Sequence, residues 1–473
     1  MNMIKRLILF VVLNISINTV VFTQDTLSVN LSLDNYYNDS LLIAYYYGDR
    51  QLVQDTLIVS ESDSSFHWHK DTLVEQGMYM AVTLPDRQFV QFLIPEKDQQ
   101  FSVKLNGLDL STMKVEGSEE NNLFLDYVEF ISKQKDRASA LQAIKSDPSS
   151  TSEQVNLAQE NLENIDIEVS AYIKDISDKH PKSITAMILN SNTAIDIPDF
   201  EGTQEEVQMK RYVYYKKNYF ESIDTKHPAI LRTPILDQRI NYYLEKLTPN
   251  YPDSIKLSVD YLMSLLEPDS ESYRYYLSTF LNKYANSKIV GMDDVYVHIA
   301  DNYYSEEKTP WIDEENLLLI KDNADDIRPV LLGNIAPDLS FYDKEGNPVK
   351  ISDLDYELLV LLFWAPDCGH CKKTMPEYVE FEKQYRDKNV KIMAVCTKHK
   401  EKTKTCWDAI EEKEMSFFTN VADEFHKSRF KIKFNVKTTP KLFILDKDRT
   451  ILMKNIGADQ LAPVIDEFLN QSR

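Results

Sequence analysis

Leu358-Leu359-Val360-Leu361-Leu362-Phe363-Trp364-Ala365-Pro366-Asp367-Cys368-Gly369-His370-Cys371-Lys372-Lys373 is the stretch on which the fold turns. Residues Leu358 to Trp364 are apolar without interruption, the pattern of a strand buried on both faces. The chain then runs through Ala365-Pro366-Asp367 into Cys368-Gly369-His370-Cys371, and residues 372–388 carry helical patterning. A Cys-x-x-Cys between a buried strand and a helix puts Cys368 at the helix N-terminus, where unpaired amides and the macrodipole stabilise an anion. That lowers the thiol pKa and raises the thiolate fraction at neutral pH. Cys371, one turn later, is placed to attack a mixed disulfide formed on Cys368. His370 between them adds positive charge or a hydrogen bond to the thiolate. Half of a zinc site is one competing reading, but Cys396 and Cys406 are ten residues apart and form no second Cys-x-x-Cys, so no metal is expected. An inert structural disulfide is the other, and the first turn of a helix is a poor place for one.

Working outward, residues 335–339 and 343–347 read as a lead-in strand and a turn. Beyond the motif, strands are predicted at 390–396, 441–446 and 450–455, and helices at 405–413 and 458–470. Strands alternating with helices mean an α/β layer structure.

Residues 363–373 resemble the active-site segment of the thioredoxin superfamily. The Ala365-Pro366-Asp367 lead and Pro376 resemble its TlpA-like branch of exported thiol-disulfide oxidoreductases. The resemblance covers about residues 331–473, under a third of the chain. It implies that Thr439-Pro440 is a cis-proline pair facing the active-site disulfide, with the preceding carbonyl available to substrate backbone. The order of β, helical and thioredoxin domains also resembles a group of envelope reductases. Three departures matter. Gly369-His370 is the pair typical of disulfide isomerases, which suggests a potential near about −180 mV and not thioredoxin's −270 mV or so. The family's buried acid falls at Leu362 and the acid after the motif at Thr374, so no carboxylate is evident to take the Cys371 proton. Asp367 sets a negative charge beside Cys368, opposing His370. Trp364 either shapes the site or is core.

The 473 residues leave room for about three domains. With 53 Lys and Arg against 75 Asp and Glu, the net charge is −22, which disfavours nucleic acid or an anionic bilayer as a partner. Neither G-x-x-x-x-G-K-[ST] nor G-x-G-x-x-G occurs, and ten glycines leave little for phosphate loops. Lys5 and Arg6 precede the apolar run 7–13, the form of a secretory signal peptide over residues 1–23. Asn14, Ser16 and Asn18 interrupt it, so cleavage is favoured over an anchor, and no later segment is apolar enough to span a membrane.

The front of the chain reads as two further parts. Residues 25–117 alternate in short segments (26–33, 41–47, 55–59, 78–84, 89–94 and 101–105), an all-β domain of sandwich type. His67 and His69 share a strand face without further ligands at metal spacing. Residues 118–330 turn helical. Val155, Ala158, Leu162, Ile165, Val169, Tyr172 and Ile176 form one apolar seam, and 146–152, with Pro148, turns the preceding helix back on it. Thr233-Pro234 reads as a helix start, with Thr233 as cap. Tyr273, Tyr276, Phe280 and Tyr284 form an aromatic stripe read as core.

The expected protein is therefore multidomain: N-terminal all-β, central all-α, and a C-terminal α/β thioredoxin-like fold over 331–473. Its expected function is that of an exported thiol-disulfide oxidoreductase of periplasm or cell envelope, reducing or isomerising protein disulfides. Cys368 is nucleophile and Cys371 resolving thiol. His370 and Trp364 tune the site and Thr439 and Pro440 bind substrate. No cofactor is needed, and the partners are protein disulfides and a thiol electron donor. A polypeptide-binding protein with a secondary redox motif is the alternative. A peroxidase is a third reading, but the T-x-x-C context is absent at Cys368. Four cysteines in an exported chain form an even set, so a second disulfide between Cys396 and Cys406 is expected, against two buried thiols or an electron relay.

Overall fold

Leu27, Val29, Leu31 and Leu33 point inward from β1 (Leu27–Asp34), and the residues between them face outward or sit half-buried, as the two-residue period of a strand requires. The computed structural model describes residues 26–60 and 65–471, so the expected signal peptide lies outside the described residues. β2 (Ser40–Tyr47), β3 (Arg50–Ile58), β4 (Phe66–Lys70), β5 (Gly77–Thr83), β6 (Phe89–Ile94), β7 (Gln100–Asn106) and β8 (Asp109–Glu116) complete two four-stranded sheets, ordered β4-β1-β7-β8 and β3-β2-β5-β6. Their inner faces share one core in which Trp68, Tyr79, Phe92 and Phe101 make successive ring contacts. The sandwich forms as expected. β3 starts at Arg50 and not at residue 55, and β8 was not anticipated. Both are largely exposed where the prediction fell short, so no alternation marked them. His67 and His69 share the exposed face of β4 with Trp68 inward, His67 beside Ser65 and His69 beside Asp71.

The helices open on side-chain caps. Ser118 accepts from the Asn121 amide to start α1 (Glu119–Ser146), and Thr151 with Gln154 forms a reciprocal capping box on α2 (Ser152–Lys179). The chain reverses between them where Pro148 predicted it would. Ala158, Ile165, Ile173 and Ile176 bury the seam of α2, and Tyr172 stacks on Phe130 with ring centroids 4.1 Å apart. α3 (Ile184–Ser191) and α4 (Gln204–Lys217) follow. Thr233-Pro234 directly precedes the helix Ile235–Lys246, as a helix start requires, and the Thr233 hydroxyl donates to the Ile230 carbonyl at 2.9 Å across a short 3-10 turn.

The chain divides into two compact units, the first ending at Gln238 and the second beginning at Arg239. That division falls inside α5 (Ile235–Lys246). The second unit continues through α6 (Pro252–Leu265), α7 (Glu271–Ala285), α8 (Asp293–Tyr303) and α9 (Glu314–Ile327). Tyr276, Phe280 and Tyr284 are buried on α7, so the aromatic stripe is core.

The C-terminal sheet contains β9 (Ser340–Tyr342), β10 (Pro348–Lys350), β11 (Leu358–Trp364), β12 (Val390–Cys396), β13 (Thr419–Ala422), β14 (Lys441–Asp446) and β15 (Ile451–Lys454), in the order β10-β9-β13-β12-β11-β14-β15. Its helices are α10 (Gly369–Tyr385), α11 (Lys404–Glu412), α12 (Phe430–Lys433) and α13 (Ala458–Gln471). All seven residues of β11 are buried, because alternate side chains enter two different cores. Leu358, Val360, Leu362 and Trp364 face the core that includes Cys371, Met375, Leu461 and Ile465 of α10 and α13. Leu359, Leu361 and Phe363 face an aromatic cluster with Phe341, Phe430, Phe434 and Phe443. β11 runs parallel to β12 and antiparallel to β14, so its C-terminal end opens directly into α10. The lead-in strand is displaced from expectation. Within 335–339 only Ile335 makes an isolated bridge, to Thr450, and the paired segment is Ser340–Tyr342.

Candidate active site

Cys368 is the N-cap of α10, with extended backbone (φ −75°, ψ 117°), while Gly369 already begins the helix. The helix thus begins at Gly369, ahead of the patterned stretch 372–388, with the Cys368 sulfur at its N-terminus as expected. Cys368 Sγ accepts the Cys371 amide at 3.2 Å and donates to the Thr439 carbonyl at 3.2 Å. The Thr439–Pro440 peptide is cis. Strand end, helix start and the turn before β14 therefore converge on one sulfur, and the predicted Cys368, Cys371, Thr439 and Pro440 come together.

The two thiols differ in environment. Cys371 is buried at 2 % exposure and Cys368 is half-buried. Burial pushes Cys371 up to about 11, and the neighbouring Cys368 sulfur adds to the rise. Burial also pulls Cys368 upward, but the Cys371 thiol, Thr439 and the amides of Cys371 and His370 outweigh it and hold the group below its ordinary value. One thiol is set to ionise first and the other to stay protonated until called on.

The backbone amide of His370 is among the groups that hold the Cys368 thiol below its ordinary value. The His370 side chain is exposed, and among the described residues the hydrogen-bond partners of Cys368 Sγ are Cys371 and Thr439. Thr374 likewise spends its hydroxyl on the His370 carbonyl at 3.2 Å. Trp364 is 1 % exposed and packs in the core beneath the site with Cys371 and Cys396, which favours its core reading. Leu362 is fully buried on the same face as Cys371, so a hydrocarbon stands where the resemblance would place an acid.

Lys398 was missed by sequence reasoning. It pairs with Asp367 at 2.6 Å and holds that carboxyl below its usual range. The negative charge beside Cys368 is thus offset by a cation from the loop after β12. Thr397 secures this loop by bonding the Trp364 carbonyl through both its amide and its hydroxyl, at 2.9 and 3.1 Å. Cys396 and Cys406 close the loop at both ends as a disulfide, with Cα atoms 6.2 Å apart. The bridge expected from the cysteine count is present. Tyr378 was also missed. It lies two turns after Cys371 on α10, is buried, and feels the Cys371 charge, after burial itself, as a push up to about 12. Its seven-residue spacing from Cys371 was the available signal.

Among the described residues, no group of three or more His, Cys, Asp or Glu converges on a metal-sized site, and no helix is long and apolar enough to cross a membrane.

A model of the AhpC/TSA family matches residues 332–454. The C-terminal third is a thioredoxin-like domain. A second model, a domain of unknown function designated DUF5106, matches residues 169–329. Among named relatives, the thiol-disulfide oxidoreductase ResA of Bacillus cereus is 27 % identical over 140 residues, 27 % of this chain and 70 % of that protein. The thioredoxin-like protein YneN of Bacillus subtilis is 28 % identical over 130 residues, 26 % of this chain and 71 % of that protein. A solved thioredoxin-like protein from Bacteroides caccae is 16 % identical, covering 59 % of this chain and all of that one, with a TM-score of 0.39. The relatives' names support an oxidoreductase role for the thioredoxin-like domain.

Proposed function

We propose that this protein is an exported thiol-disulfide oxidoreductase that reduces or isomerises disulfides in protein clients through Cys368 and Cys371, with electrons from a thiol donor. The observation that carries this reading is the position of Cys368 Sγ, capping α10 and facing the Thr439 carbonyl at 3.2 Å. The Cys368 thiolate attacks one sulfur of a client disulfide. That S–S bond breaks, the second client sulfur leaves as a thiolate and takes a proton from water, and Cys368 holds the mixed disulfide. Cys371 then gives up its proton to water and attacks Cys368 Sγ, so that the Cys368–client bond breaks, the first client sulfur leaves as a thiolate that is protonated by water, and a Cys368–Cys371 disulfide forms. Two electrons pass to the client, and the donor thiols restore them. In isomerisation the release comes instead from another thiol of the client, and no net electrons move.

Thr439 and Pro440 form the backbone edge on which a client strand would lie, and His370 and Trp364 shape the surroundings. Residues 331–473 would carry the chemistry, with 25–117 and 118–330 as the separate front domains. Location in the periplasm or envelope is supported by the basic-then-apolar N-terminus of the sequence and by a Cys396–Cys406 bridge of the kind oxidising compartments preserve. The Gly369-His370 dipeptide favours isomerisation, with a potential near about −180 mV.

Insulin reduction with a dithiol donor tests the reading. The wild-type protein should precipitate insulin, Cys368→Ser should abolish this, and Cys371→Ala should accumulate mixed disulfides with clients. Wild-type turnover by Cys368→Ser would sink the mechanism. A measured potential near thioredoxin's value of about −270 mV would favour reduction over isomerisation.

A further inference from the structure

Charge is distributed unevenly on this molecule. The chain as a whole carries a net charge of −22, yet between Glu424 and Asp446 it holds Lys427, Arg429, Lys431, Lys433, Lys437 and Lys441 and no acidic residue. The disulfide-closed loop after β12 adds Lys398, Lys400, Lys402 and Lys404 against Glu401 alone. The fold brings residues of both stretches into the lining of one groove of about 380 Å³ beside Cys368, where Lys398, His399, Lys402, Lys431 and Lys437 line it. Its one carboxylate, Asp367, is already taken by Lys398.

Internal partners account for only part of this charge. Lys437 donates to Asn323 at 3.0 Å and lies 4.0 Å from Asp326. Lys402 and Lys431 are exposed, and among the described residues neither ammonium has a hydrogen-bond or ion-pair partner. His399 is held below its ordinary value by partial burial and then by the charges of His426, Lys431, Lys400 and Lys402, an independent sign of positive potential in the groove. Like charges gathered in the lining of one groove repel one another, and an anionic occupant relieves that repulsion. The groove abuts the sulfur that would meet the client, so the occupant is chain flanking the client's own disulfide.

We propose that the groove selects polypeptide clients whose disulfides are flanked by Asp and Glu. This deepens the oxidoreductase reading and rests on it. Facing charges of this kind steer encounter and register, so selection should appear in kcat/KM and fade with salt. A bystander basic surface would leave acidic and basic clients equal.

The test uses the full chain and two synthetic peptides with the same internal disulfide, one flanked by aspartates and the other by lysines, with a small dithiol as donor. The expected result is a preference of about tenfold in kcat/KM for the aspartate peptide near 20 mM salt, shrinking to about twofold near 0.5 M. Lys402→Glu with Lys431→Glu should erase or invert the preference. Lys447→Glu, a charge reversal on an exposed residue in the β14–β15 turn, should keep it. Equal kcat/KM for the two peptides, or a preference that does not respond to salt, overturns the charge selection alone. Reduction of neither peptide overturns the oxidoreductase reading beneath it. The salt titration needs only wild-type protein, so the outcome does not depend on the double variant folding.

Discussion

At the residue scale, the chemistry depends on two sulfurs three positions apart that ionise very differently. Cys368 caps the helix and shares its sulfur with an amide, whereas Cys371 is enclosed by Met375, Tyr378 and the β11 core. The pKa of Cys368 lies below its ordinary value, so its thiolate fraction grows as pH rises through that lowered pKa and is flat above it. Cys371 stays protonated until the pH nears 11. Iodoacetamide should therefore modify Cys368 with a midpoint below about 8.5 and at least about 100-fold faster than Cys371 at pH 7, as followed by mass spectrometry. Equal rates would contradict the asymmetry. Asp367 is the local opponent, and Lys398 offsets it at 2.6 Å. Removing that cation in Lys398→Ala should leave a bare carboxylate beside Cys368 and disfavour its thiolate. The pair is largely exposed on the Asp367 side, so the expected effect is a modest slowing of alkylation at pH 7, about two- to fivefold, diminishing with salt. No change at low salt would show that Asp367 does not act on the thiol.

At the element scale, the loop between β12 and α11 decides how the site is walled. Its backbone is tied to the end of β11 through Thr397 and its ends are joined by Cys396–Cys406. The two half-cystines are ten positions apart and almost fully buried. In the chain-entropy picture, closing a loop of that length contributes about 2.5 kcal/mol. Cys396→Ala with Cys406→Ala should lower the urea midpoint by the equivalent of about 2–3 kcal/mol with little change in slope. Because the loop carries Lys398 and Lys402, the same variant should also blur the discrimination between acidic and basic peptides. A midpoint unchanged from wild type would mean that the loop is held by its other contacts. The loop's sequence, rich in lysine and poor in apolar residues, could not have shown this, since its order comes from a strand it meets across the sheet.

At the scale of the whole molecule, the second compact unit joins helices and the α/β sheet through a buried cation. Lys454 of β15 is 1 % exposed, donates to Asp293 of α8 at 2.6 Å and to the Val330 carbonyl at 2.6 Å. Leaving one member of a buried ion pair without its partner is strongly destabilising. Asp293→Ala should therefore destabilise the intact protein by about 1–3 kcal/mol, the partial exposure of Asp293 reducing the cost of a fully buried pair. Thermal unfolding checks this, and Lys454→Met should tolerate the loss of Asp293 where Lys454 does not. An Asp293→Ala protein as stable as wild type would show that Lys454 finds another partner. The same contact joins residues 161 positions apart on either side of residue 331, and charge pairing at that separation leaves no periodicity to read.

What the amino-acid order determined by itself is everything governed by local spacing. β11, β12 and β14 were legible to the residue because a strand buried on both faces must be continuously apolar, and the helical hairpin because its seam and its proline turn are short-range patterns. Cys368 and Cys371 were legible because a helix start acts on its own first turn. β8, β13 and α12 were not, since their hydrophobic content is too brief to show a period. Tertiary structure alone decided that Lys398 answers Asp367 and that two lysine-rich stretches line one groove beside Cys368. Those relations depend on Coulomb and packing forces between segments distant in the chain, and only the folded sheet fixes their distances.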